Sequence, residues 1–250
     1  MKKTVCTLFL LAGMALSSLA VAENNSKDRS IADLASTQLQ KKDNFRSVTV
    51  AADDGIVTLA GTVPLYIDKV NAEKRVRKVK TVDGVRNHIQ VGGPAIADSE
   101  VRENLANKLR YDRIGYGIVF NNLGVDVKNG LVTLSGNVRD YPDRDSALAI
   151  VATTAGVKDV VDEIGVAPVS LLDDSLRIRL AQAVYGSPVL QKYALDPQAP
   201  IRIVVENGHV ELAGVVLNNL DRQVAYTQAA SVPGVFSVTN HIAVPGQTFE

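Results

Sequence analysis

One phrase occurs three times in this chain: Gly55-Ile-Val-Thr-Leu-Ala-Gly-Thr-Val63, Gly130-Leu-Val-Thr-Leu-Ser-Gly-Asn-Val138 and Gly208-His-Val-Glu-Leu-Ala-Gly-Val-Val216. It returns after 75 residues and again after 78. A second phrase follows each copy, ending in Val85-Arg-Asn-His-Ile-Gln-Val91, Val160-Val-Asp-Glu-Ile-Gly-Val166 and Val238-Thr-Asn-His-Ile-Ala-Val244. Self-similarity at a fixed period constrains a fold more than any local propensity. The chain is three copies of one small unit.

Each copy reads helix, strand, strand, helix, strand. The opening helices are expected over Ile31 to Leu39, Val101 to Leu109 and Leu176 to Val184, with Asp98-Ser99 and Asp173-Asp174-Ser175 as N-cap candidates. The first strands alternate at Val48/Val50/Ala52, Leu123/Val125/Val127 and Ile201/Ile203/Val205. Asp54-Gly55, Asn129-Gly130 and Asn207-Gly208 follow, the dipeptides that a type I′ hairpin turn demands. Second strands turn Val57/Leu59, Val132/Leu134 and Val210/Leu212 inward, and last strands Ile89/Val91, Ile164/Val166 and Ile242/Val244. A period of two with one apolar face means a sheet covered on one side only. The second helices align Ala72/Val76/Val79, Ala147/Val151/Thr154 and Ala225/Ala229/Val232, one face at i, i+4, i+7. The expected class is α+β: three tandem small domains, each αββαβ, with a three-stranded mixed sheet under two helices. Boundaries are expected at residues 23–93, 94–168 and 169–245, with a tail over 246–250.

The amino terminus reads as an export signal. Lys2 and Lys3 precede a short apolar run, Leu8 to Leu16, and Ala20-Val21-Ala22 is a small-x-small cleavage site, with cleavage expected after Ala22. The run is too short for a membrane span, and polar residues follow at once. The one cysteine, Cys6, lies inside this segment, so the exported chain has no disulfide, no cysteine metal site and no thiol nucleophile.

With 27 basic and 27 acidic residues the chain is no polyanion binder by bulk charge. The distribution is uneven. Residues 23–97 carry 12 basic and 9 acidic side chains, residues 98–168 carry 8 and 11, and residues 169–250 carry 5 and 7. Attraction to an anionic surface should therefore come from the first repeat. Its second helix holds Lys74, Arg75, Arg77, Lys78 and Lys80, of which Lys74, Arg77 and Lys78 lie opposite the apolar face. This stripe is the candidate lipid-headgroup contact; an ordinary solvated helix face is the other reading. The same positions in repeat two are Ala149, Ala152 and Thr153, flanked by Leu148 and Ile150, which predicts that this helix packs on a neighbouring repeat or another subunit.

Repeats two and three carry longer connections before the hairpin. They bring Tyr111, Tyr116 and Phe120, then Tyr185 and Tyr193, as candidate partner contacts. Sealing the joints between repeats is the alternative. His88, His209 and His241 have no metal-ligand spacing around them, Ser135 lacks a nucleophile elbow, and no phosphate-cradling glycine loop is present. No catalytic residue, cofactor or metal is expected. The lack of a GXXG loop and of stacking aromatics, together with export, argues against nucleic acid.

The unit, with Leu59-Ala-Gly-Thr-Val63 and Asn87-His-Ile-Gln-Val91, resembles a BON domain in three tandem copies covering nearly all of the exported chain. The resemblance implies a periplasmic envelope protein linked to osmotic stress and envelope integrity, without shared catalytic residues. Some family members bind anionic phospholipid through a helix face. The expected partners are thus an anionic phospholipid surface, bound peripherally, or an envelope protein; the latter implies an interaction or chaperone-like module working through the apolar loops. Gly61, Gly136 and Gly214 match the family motif and read as backbone features ending a strand. Thr81 departs from it, standing where Gly156 and Gly234 are found, so that turn is expected to differ.

Overall fold

The computed structural model describes residues 26–110, 117–195 and 201–246. The export signal, Tyr111 and Tyr116 lie outside the described residues. The chain divides into two compact units at Pro94/Ala95.

The first unit holds repeat one. Its opening helix, α1, includes residues 26–40. A 3-10 turn at Asp43–Phe45 leads into β1 (Val48–Asp53), β2 (Ile56–Val63), α2 (Tyr66–Val76) and β3 (Gly84–Val91). β2 is central, antiparallel to β1 and parallel to β3. Ile31, Ala35 and Leu39 of α1 meet Val57, Leu59 and Ile89 of the sheet and Ala72 and Val76 of α2 in one core.

The second unit repeats this architecture twice. Repeat two runs α3 (Asp98–Arg110), α4 (Gly117–Phe120), β4 (Asn122–Lys128), β5 (Leu131–Val138), α5 (Tyr141–Ala152) and β6 (Asp159–Val166). Repeat three runs α6 (Leu171–Tyr185), α7 (Gln191–Ala194), β7 (Ile201–Glu206), β8 (His209–Val215), α8 (Asn219–Ala230) and β9 (Ser237–Ala243). Both sheets have the order and directions of the first. The predicted α+β class, with three mixed three-stranded sheets, is the observed one.

The hairpin turns form as their dipeptides require. Asp54/Gly55, Asn129/Gly130 and Asn207/Gly208 all have positive φ, between 47° and 79°. A single carboxylate pins each turn. Asp28 accepts the backbone N–H groups of Asp54 and Gly55, Asp98 those of Asn129 and Gly130, and Asp173 those of Asn207 and Gly208. This corrects the helix-cap reading of Asp98 and Asp173. Their carboxylates serve the hairpin, and α6 is capped instead by Ser170, whose hydroxyl accepts from the Asp173 N–H.

The motif glycines sit inside their strands rather than ending them. Gly61 is two residues short of the end of β2, which continues along β3 as far as Val63. It marks where pairing with β1 stops, at Val48. Its φ is +117°, and a Cβ there would lie 2.0 Å from the Ser47 carbonyl oxygen. Gly136 meets the Asn122 carbonyl in the same way, at 2.1 Å. Thr81 has no positive φ, unlike Gly156 and Gly234, so that turn does differ.

The repeated Asn-x-Ile also gains a reason. Asn87 donates to the Lys69 carbonyl of α2 and Asn240 to the Arg222 carbonyl of α8, tying the last strand to the second helix. Repeat two has Asp162 there, and the Arg144 side chain of α5 reaches it in an ion pair.

Repeats two and three are one unit because α4 crosses between them. Phe120 is buried in the core of repeat three, with Leu176, Leu180 and Ile203. Asn122 of β4 also donates to Glu211 of β8. By contrast α5 packs on α3 and on its own sheet, and Lys108 of α3 donates to Thr154. Ala152 is buried, but Ala149 and Thr153 remain exposed. Within the second unit the element packed on this helix is therefore the opening helix of the same repeat rather than repeat three.

Candidate basic cleft of repeat one

Helix α2 ends at Val76, and the next residues turn tightly. Lys78 N–H donates to the Arg75 carbonyl and Val79 N–H to the Val76 carbonyl. This turn carries Lys78 and Lys80 round beside Lys74 and Arg75 of the last helical turn. Together with Asn71, Val79 and Leu34 and Gln38 of α1 they line a cleft of about 520 Å³. Four cations converge there, and no carboxylate is among the lining residues.

Two contacts shape it. Arg75 is half-buried, with its guanidinium carbon 5.8 Å from the centre of the Phe45 ring, within cation–π range. Glu73, the acidic residue nearest in sequence, is drawn to the other side of the helix. It accepts from Arg77 at 2.7 Å and from Asn87 of β3 at 3.2 Å. Burial acts to raise the Glu73 carboxyl, but the hydrogen bonds from Arg77 and Asn87 outweigh it and hold the group below the usual carboxylate range.

Of the five candidate cations the structure brings Lys74, Arg75, Lys78 and Lys80 together and sets Arg77 apart, its charge paired with Glu73. Among the described residues Lys74, Lys78 and Lys80 have no acidic partner. Val79, assigned to the apolar face, is only half-buried and forms part of the wall. Leu34, Gln38, Asn71 and Phe45 were not singled out from sequence. An exposed Leu34 off the Ile31/Ala35/Leu39 stripe is the signal that could have found the α1 wall.

Basic residues near a helix C-terminus can simply offset the helix dipole. The sister helices show that this fold does not need them: α5 and α8 have no basic residue in their last turns.

The described aromatic residues of the two longer connections, Phe120, Tyr185 and Tyr193, are turned inward. Tyr193 is buried, donating to Asp221 at 2.6 Å and accepting from the Leu217 N–H at 2.8 Å. The Tyr185 hydroxyl donates to the Ile201 carbonyl, and Phe120 is in the repeat-three core. These three side chains join parts of the second unit; of that loop, Leu195 stays exposed. A second cavity, about 360 Å³, lies at this joint, lined by Phe120, Pro168, Val169 and Ile178 beside two Arg–Asp ion pairs, Arg139–Asp140 and Arg177–Asp174. Its charges neutralise each other. Among the described residues no cluster of His, Cys, Asp or Glu could hold a metal, and no helix is long and apolar enough to cross a membrane.

The family model of the BON domain matches residues 27–93, 97–168 and 188–246. No curated protein matches the sequence. Among solved structures the chain is similar to CdsD, a structural protein of the type III secretion system of Chlamydia trachomatis, at 16% identity over 84% of this chain and 90% of that one, with a TM-score of 0.25. The C-terminal domain of CdsD matches at 16% identity over 84% of this chain and 94% of that one, with a TM-score of 0.23. TM-scores that low carry no inference about fold or function.

Proposed function

The chain belongs to the BON domain family, and from that premise we propose that it is a non-catalytic periplasmic stress protein of the cell envelope whose first repeat docks on anionic phospholipid surfaces. One observation carries the reading: Lys74, Arg75, Lys78 and Lys80 converge on a single cleft that no carboxylate lines. The equivalent positions of repeats two and three are Ala149, Ile150, Thr153 and Ala155, then Thr227, Gln228, Ser231 and Pro233, none of them charged. Near an anionic membrane each basic residue contributes about 1 kcal/mol. Four acting together give reversible, salt-sensitive association. The export signal read in residues 1–22 supports the periplasmic location.

Co-flotation with liposomes tests this. Binding is expected to phosphatidylglycerol and cardiolipin mixtures and not to phosphatidylcholine, and is expected to weaken at high salt. Absence of flotation on every anionic mixture at low salt would sink the reading.

The competing reading, an interaction or chaperone-like module working through repeats two and three, keeps one supporting observation. Leu195 is 83% exposed, Leu217, in the loop that Tyr193 holds through its N–H, is 69% exposed, and Leu220 in the first turn of α8 is 65% exposed. Binding through those leucines would survive high salt.

A further inference from the structure

The cleft is more than a charged stripe, and we infer that it is a single-headgroup site in which Arg75, half-buried beside the Phe45 ring, grips the phosphate of one phospholipid. This rests on the membrane-docking reading above. Three features of the cleft set it apart from a solvated helix face.

It is concave, with walls from two helices: Leu34 and Gln38 from α1, Asn71, Lys74 and Arg75 from α2. A flat basic surface attracts a membrane but holds no individual headgroup. A cleft of about 520 Å³ has room for one.

Its cations are not equivalent. Lys74, Lys78 and Lys80 are exposed point charges on flexible stems, whereas Arg75 is half-buried with its guanidinium in cation–π range of the Phe45 ring. A guanidinium presents a planar fork of N–H donors that matches two phosphate oxygens. Holding that fork in place beforehand removes the entropy cost of ordering it on binding.

It also has neutral hydrogen-bonding groups beside the charges. Asn71 has no side-chain partner among the described residues. Gln38 accepts from Lys41 through its oxygen, which leaves its NH2 group free to donate. Amides next to a phosphate site suit the hydroxyls of a glycerol headgroup. The exposed Leu34 and the half-buried Val79 offer apolar surface where acyl chains begin. The chemistry is that of a phosphodiester bearing hydroxyls, as in phosphatidylglycerol, with the lipid rather than free phosphate as its source.

The experiment compares variants of equal charge on phosphatidylglycerol vesicles. Arg75→Lys keeps the charge and removes the fork; about a tenfold loss of affinity is expected. Lys78→Gln and Arg77→Gln each remove one charge, but Arg77 lies outside the cleft. Lys78→Gln is expected to weaken binding several-fold and Arg77→Gln much less. Asn71→Leu, which changes no charge, is expected to weaken phosphatidylglycerol binding as well. Both Lys78 and Arg77 are exposed, so their variants remain informative should Arg75→Lys lower stability. Glycerophosphoglycerol, the soluble headgroup, is expected to compete at one site per chain, and inorganic phosphate much more weakly. If Arg75→Lys binds like the parent and Arg77→Gln matches Lys78→Gln, the single-headgroup site is wrong while membrane docking stands. If the parent chain binds no anionic vesicle, the docking reading itself is wrong.

Discussion

Both carboxylate oxygens of Asp173 close on the hairpin turn of repeat three: Oδ2 accepts from the Asn207 N–H at 2.9 Å and Oδ1 from the Gly208 N–H at 3.0 Å. The side chain is buried, and so is Gly208. Asp173→Ala would leave a buried N–H without an acceptor, at a cost of about 1–3 kcal/mol. Urea unfolding should show that loss. Asp98 makes the equivalent pair but is itself only half-buried, so Asp98→Ala should cost less. Equal stability of Asp173→Ala and the parent would mean that the turn holds itself.

The reach of this clamp shows what the sequence could and could not disclose. The hairpin turns were legible because Asn-Gly and Asp-Gly act over two residues. The clamp spans 26 or more residues, and nothing local announces it. A signal existed all the same: an aspartate stands three residues before the first aligned apolar position of every opening helix, before Ile31, Val101 and Leu176. Capping explained two of the three too readily. Likewise the cations of the cleft were visible as a run, but a helical wheel placed Arg77 with them. Only Glu73 and Asn87, brought together by β3, show why it stands apart.

Gly136→Ala should destabilise the second unit strongly. The position has φ +99°, and the added Cβ would meet the Asn122 carbonyl oxygen of the paired strand at 2.1 Å. Positive φ alone costs a non-glycine residue about 1–2 kcal/mol, and relief of the overlap requires β4 to move. Calorimetry is expected to show a marked fall in Tm. A small change would indicate that β4 shifts at little cost.

Acid should weaken repeat three through Asp221. Burial acts to raise this carboxyl, but hydrogen bonds from Lys192 and Tyr193 outweigh it and hold it below the ordinary range. A group whose folded pKa lies below its unfolded value of about 4 stabilises the fold above that pH and loses the contribution as pH falls through the folded pKa. The stability difference between the parent and Asp221→Asn should therefore be largest near neutrality and shrink below about pH 4. A pH-independent difference would show that packing, not ionisation, is at stake. At the alkaline end Tyr193, pushed up to about 12 by burial and by its bond to Asp221, contributes below its ordinary pKa and loses that contribution as pH rises through about 12.

Vesicle binding should depend on the three free lysines acting together. Lys74→Gln, Lys78→Gln and Lys80→Gln in one chain remove about 3 kcal/mol of attraction, on the order of a hundredfold in affinity. All three are exposed, and Tm should stay within a few degrees of the parent. Retained flotation on phosphatidylglycerol by a folded triple variant would refute docking through this cleft.

Phe120 tests whether repeats two and three fold as one. Its place in the sequence assigns it to repeat two, whereas its ring is 5% exposed in the core of repeat three. Periodicity could reveal that an apolar residue stood there but not which core it enters. Phe120→Ala leaves a cavity among Leu176, Leu180 and Ile203, and large-to-small changes of this kind cost about 3–5 kcal/mol. Because α4 leads directly into β4, loss of that anchor should loosen repeat two as well as repeat three. Hydrogen exchange is expected to accelerate in β4 and β5 together with β7 and β8, while β1 to β3 of the first unit keep their protection. Exchange confined to repeat three would show that each repeat opens independently despite the shared side chain.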